Sequence, residues 1–141
     1  MAFTFGARAL LCRPFAWPQG RTEVNYDGRR FRVVRTARNG EVGDETIFEY
    51  HQTGSIVWGE YAGGEVRRGA LLACLEDGGR LRMVYHHINT AGELRTGECV
   101  SVPEHRNDGI VRLHETWRWT NGDGSTGTST VEEIRHGQAN Q

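Results

Sequence analysis

The chain has 141 residues and a formal net charge of -1, from 17 basic and 18 acidic side chains. That length suits one domain around a single core, and the near-neutral charge argues against bulk binding to nucleic acid or a membrane surface. Every basic residue is Arg, which excludes mechanisms that need a lysine: Schiff bases, P-loop phosphate binding and a kinase-type ATP site.

Residues 1–22, with Pro14 and Pro18, read as an N-terminal extension ahead of the domain. Its only apolar run, Ala9-Leu10-Leu11-Cys12, is flanked by Arg8 and Arg13 and is a poor secretory core. No apolar run approaches the ~20 residues of a membrane-spanning helix. Cys12, Cys74 and Cys99 form neither a CxxC pair nor a zinc spacing. An odd, scattered set of this kind points to reduced thiols in a cytoplasmic protein.

From residue 23 onward, turn signals recur at nearly even spacing. They are Asp27-Gly28, Asn39-Gly40, Thr53-Gly54, Gly63-Gly64, Gly78-Gly79, Ala91-Gly92, Asp108-Gly109 and Asn121-Gly122. Gly and Asn supply the positive φ that hairpin turns require. Between the turns lie short segments rich in β-branched and aromatic residues, predicting strands over 30–38, 45–52, 55–61, 65–76, 80–88, 93–102, 110–120 and 125–134. No window keeps a 3.6-residue period over ten or more residues. Eight strands joined by short loops form an up-and-down meander. Closing it removes two bare edges, so the predicted fold is all-β, a single eight-stranded antiparallel barrel over 23–135, with 136–141 as a tail. A β-sandwich is the structural alternative. An eight-stranded barrel has room inside for side chains or one small ligand.

Alternation assigns the inner face. Leu81, Met83, Tyr85 and His87 share one face of their strand; Val111, Leu113, Glu115, Trp117 and Trp119 share one face of theirs. Centring one hairpin on Asn89–Gly92 and the next near Arg106-Asn107 predicts three inner belts. The first is Leu71, Tyr85, Thr96, Trp117 and Thr128. The second is Ala73, Met83, Glu98, Glu115 and Thr130. The third, nearer the mouth, is Gly69, His87, Leu94, Trp119 and Thr126. This register also sets Arg95 opposite Arg118 on the outer face; a two-residue slip would cure that and would separate Glu98 from Glu115.

Glu115 carries the most chemical information. Between Leu113 and Trp117 on its own face it loses solvation, which raises a carboxyl pKa and suits a general acid or base, or a ligand anchor. Glu98 beside it would complete a carboxylate pair. Tyr85 and His87, two residues apart on one strand, could donate hydrogen bonds to a ligand or pass a proton. Trp117 and Trp119 form an aromatic wall, with Trp58 as a further candidate. Thr96 and Thr128 add hydroxyls to the belts. Arg67 and His87 are the candidate cations facing Glu115. All of these could equally serve as a packed, hydrogen-bonded core. Six His occur without H-x-H, HExxH or His/Cys spacing, so no metal is expected. Neither G-x-S-x-G nor a GxGxxG after a strand occurs, and no cofactor is called for.

Several stretches carry a resemblance: Asn25-Tyr26-Asp27-Gly28-Arg29 with Phe31, Asn39-Gly40-Glu41-Val42, Glu45-Thr46-Ile47-Phe48, Tyr85 with Asn89, Gly92-Glu93-Leu94, Thr96-Gly97 with Cys99, and Arg112-Leu113-His114-Glu115 with Trp117, Trp119 and Gly122-Asp123. From about Val24 to Ile134 the chain resembles a group of small bacterial proteins often labelled N-acetylglutamate synthase. That label implies an acetyltransferase, whose fold uses a loop of the form [RQ]-x-x-G-x-[GA] opening a helix to hold the CoA pyrophosphate. The chain contains neither that loop nor a helix to follow it, which disfavours the activity. The predicted fold instead resembles the calycin-like barrels (lipocalins, fatty-acid-binding proteins, the avidin group), which implies a small apolar or aromatic ligand inside. Three functions follow. The first is a ligand-binding barrel, and the second a cofactor-free isomerase, cyclase or lyase with Glu115 as acid or base and Tyr85 or His87 polarising. The third is the acetyltransferase. A second copy of the chain is the candidate protein partner.

Overall fold

The structure is a computed structural model that describes residues 24–135, together with residues 9, 11 and 12. The expectations for the rest of the N-terminal extension and for the 136–141 tail lie outside the described residues. Eight strands form: β1 (Arg30–Thr36), β2 (Ile47–Thr53), β3 (Ile56–Gly63), β4 (Val66–Leu75), β5 (Leu81–Asn89), β6 (Leu94–His105), β7 (Val111–Trp119) and β8 (Thr126–Glu133). Each lies within a few residues of its predicted span. They pair in chain order, and β8 returns to β1, so the sheet is a closed antiparallel barrel without an edge strand.

The interior follows from alternation. On β7, Val111, Leu113, Glu115, Trp117 and Trp119 are all buried, as the sequence predicts. On β4 and β5, Gly69 pairs with His87, Leu71 with Tyr85 and Ala73 with Met83, again as predicted. Tyr26, fully buried, closes the end of the barrel opposite His87, donating its hydroxyl to the Gly79 carbonyl at 2.5 Å. Phe31 packs on Tyr50 below it, ring centroids 4.9 Å apart.

β6 departs from the predicted belts by one residue against β5 and by three against β7, and β8 by one against β7; any odd slip reverses every side chain. Tyr85 pairs with Gly97 rather than Thr96, and Met83 with Cys99 rather than Glu98. For β6 against β5 the cause is the loop that joins them. Asn89 accepts from Glu93 across three residues, Thr90-Ala91-Gly92, with Gly92 at φ 82°. That is a three-residue hairpin with a left-handed Gly, whereas the even-numbered loop assumed from the sequence has the other parity. The β6–β7 connection repeats the device around Gly109, φ 81°. Trp117 consequently pairs with Cys99 and with Gly127, and Glu115 with Ser101 and with Ser129.

Candidate functional site

The inner faces of β2–β8 and the loop between β1 and β2 enclose a cavity. Its volume is about 50 Å³. That exceeds what one water needs and limits an occupant to a slender molecule unless the walls give. The walls are aromatic and aliphatic, chiefly Phe48, Tyr61, Tyr85, Trp117 and Trp119 with Leu71 and Met83. The two indoles meet edge to face at 5.6 Å, and Tyr85 stands edge-on to Trp119 at 5.7 Å.

Room for these rings comes from glycine on the neighbouring strand. A Cβ on Gly97 would collide with the ring of Tyr85, and one on Gly127 would lie 2.5 Å from the ring of Trp117. Gly69 does the same for Tyr61, at 2.5 Å. Part of the glycine excess is therefore spent inside the barrel rather than in turns.

Glu115 stands deep in this cavity and is 9% exposed. Ser101 donates to its Oε2 at 3.0 Å; among the described residues no other hydrogen bond to its carboxylate exists. Desolvation pushes its pKa from 4.5 up to about 7, opposed only by the Ser101 hydrogen bond. Close by, Ser129 accepts from Trp117 Nε1 at 2.9 Å and contacts the Thr36 hydroxyl at 3.0 Å. The acids nearest Glu115 stay neutral: burial pushes Tyr50, Tyr61, Tyr85 and Cys99 up, and the Glu115 carboxylate adds to each shift.

The mouth is built differently. Glu41, in the β1–β2 loop, reaches over it. Its Oε2 accepts from Arg95 at 2.6 Å, and its Oε1 lies 2.8 Å from His87 Nε2 and 3.2 Å from Asn89 Nδ2. His87 Nδ1 is 2.8 Å from the Tyr61 hydroxyl. With Tyr61 donating to Nδ1, Nε2–H is free to donate to Glu41, so a neutral imidazole satisfies both contacts. Arg95 lies over the face of Trp119, 4.0 Å from its centroid. Trp119 Nε1 donates to the Asn39 carbonyl at 3.0 Å, pinning the same loop.

The structure thus brings Glu115, Tyr85, His87, Trp117 and Trp119 to one cavity, as the sequence predicts. Six other predictions are corrected. Thr96 faces outward and bonds Thr120 at 2.6 Å. Glu98 faces outward with Arg118 at 3.1 Å, so the carboxylate pair does not form. Thr128 is exposed on β8, beside the inward Ser129. Thr96 and Glu98 follow from the slip of β6 against β5, and Thr128 from the slip of β8 against β7. Arg67 sits at a β-bulge between Val66 and Arg68 that turns it to solvent. Trp58 is 39% exposed and stacks on His51 outside the barrel, because Val57, Gly59 and Tyr61 take the inner face of β3. Arg95 does not meet Arg118; it opposes His87.

Sequence reasoning missed Glu41, Tyr61, Cys99, Ser101 and Ser129. Alternation within β3 marks Tyr61 once Gly59 is read as an inner position. Glu41 lies in a loop, where no periodicity points to it. Among the described residues, no group of three His, Cys, Asp or Glu side chains could hold a metal ion.

A closed eight-stranded barrel with an apolar cavity and one buried acid defines a class, the small ligand-pocket barrels. The family model described as Avidin-like protein matches residues 24–134, the whole of the barrel. The chain belongs to that family. No curated protein and no solved structure matches it.

Proposed function

We propose that the protein binds a small, slender molecule with an apolar or aromatic body inside the barrel, its polar end on Glu115. One observation carries this reading: a cavity walled by Tyr85, Trp117 and Trp119 that ends on a buried carboxyl with a single hydrogen-bond partner. A barrel built only for stability would fill that space or pair that acid. Native mass spectrometry of freshly purified protein tests it. A co-purified mass released on unfolding is the expected result. Loss of that mass in a Leu71→Trp variant that fills the cavity places it inside. A second reading, cofactor-free acid–base catalysis, draws support from Glu115 at about 7 and from the Tyr85 hydroxyl, which makes no hydrogen bond to the described residues. There, turnover falls in Glu115→Gln while ligand affinity persists. A homodimer is also proposed, through the exposed row formed by Trp58, Leu72 and Val84 on neighbouring strands. Light scattering of Leu72→Glu against wild type tests it.

A further inference from the structure

We infer that the cavity selects a small organic cation, an alkyl- or arylalkyl-ammonium, with its positive charge against Glu115 and its body between the aromatic rings. The inference rests on the binding reading above and names the ligand's chemical class.

The argument is one of missing charge. Glu115 is buried, and Ser101 bonds one of its oxygens, leaving Oε1 without a partner among the described residues. A chain without lysine offers only Arg or His as a buried cation beside it. Arg67 is turned to solvent by its bulge. His87 is held between Tyr61 and Glu41, both at 2.8 Å. Arg95 is spent at the rim on Glu41, at 2.6 Å. The groups that do face Glu115 are Tyr50 from β2, Tyr61 from β3, Tyr85 from β5 and Cys99 from β6; all are acids held neutral, and none can supply a positive charge. β7 and β8 contribute Trp117 and Ser129.

A ligand can supply the charge the protein lacks. An anion would meet the carboxylate with no cation to offset it. An ammonium pairs with Glu115, and its CH groups lie against Tyr85, Trp117 and Trp119, whose ring faces are electronegative. The narrow space favours a single thin chain or one ring.

Binding then carries a proton signature. Glu115, with a pKa of about 7, is half protonated at neutral pH; an ammonium partner ionises it, so about half a proton is released per ligand bound at pH 7. The test is calorimetry on the full chain with three probes of one shape: 2-phenylethylammonium, 2-phenylethanol and phenylacetate. Titrations run at pH 7 in two buffers of different ionisation enthalpy. The expected result is at least tenfold tighter binding of the ammonium than of the alcohol, with proton release, and loss of both the preference and the release in Glu115→Gln. Proton release is read on the wild-type protein and needs no variant to fold. Equal or tighter binding of the alcohol or of phenylacetate, or ammonium binding without proton release, overturns the cation inference and leaves the binding reading standing. No binding of any probe overturns both.

Discussion

The ionisation of Glu115 has a measurable consequence for stability. In the unfolded chain its carboxyl titrates near 4.5; in the barrel, burial raises it to about 7. The folded state therefore holds this proton more tightly than the unfolded state does. Its stabilising contribution is full below about pH 4.5, declines as the pH rises, and is gone above about pH 7. At about 1.4 kcal/mol per tenfold change in proton affinity, the loss across that window is about 3 kcal/mol. For a domain of this size, that is about 10 °C in Tm. Glu115→Gln keeps the shape and can still accept from Ser101, but carries no ionisable proton. The variant should match wild type within about 1 kcal/mol at pH 4.5 and exceed it by about 3 kcal/mol at pH 8. Urea unfolding of both proteins at half-unit steps from pH 4.5 to 8 measures the difference, and other titrating groups cancel. A stability difference that stays constant across the window, or that favours wild type as the pH rises, refutes the assignment of a strained carboxyl.

Three further outcomes are expected. Gly97→Ala forces a methyl into the ring of Tyr85 and should cost about 1–3 kcal/mol by denaturant unfolding, whereas Ala at the open Gly43 should cost little; equal effects would refute the packing account. Glu41→Gln removes the charge that Arg95 contacts at 2.6 Å. It should lower stability by about 2 kcal/mol and speed ligand entry and exit in stopped-flow fluorescence; unchanged rates would show that the loop does not limit access. Ser101→Ala removes the hydrogen bond that favours ionised Glu115, so the carboxyl C=O infrared band should titrate at higher pH than in wild type. A midpoint unchanged or lowered would mean that Ser101 does not bear on the charge.

The strands and half of the site were legible because they rest on period and turn chemistry, which sequence carries directly. Glu115, Trp117 and Trp119 follow from alternation along β7, and Tyr85 and His87 from alternation along β5. The register across β6 was not legible, because it depends on whether a loop holds an even or odd number of residues. Around Asn89 that parity is decided by a side chain accepting from Ala91 and Glu93 at 3.1 and 2.9 Å. The misplacement of Glu98 and Thr96 is the price of that one residue. Arg67 was lost to a bulge, which no alternation pattern announces. Glu41 was out of reach for a different reason: a loop side chain meets its partners only through tertiary closure.

The order of the strands leaves one contact unlike the others. Seven of the eight pairings join neighbours in the chain, but β1 meets β8, with Phe31 opposite Glu133. Seven hairpins can form locally and early, while the seam must wait for the two ends of the domain to find one another across about a hundred residues of chain, at a cost in loop entropy. Mutations at Val33, which pairs with Val131 of β8, should therefore speed unfolding and leave the folding rate nearly unchanged. Joining residue 134 to residue 24 and reopening the chain at the Thr90–Gly92 turn would convert the late seam into a local hairpin and move the late step to β5 and β6.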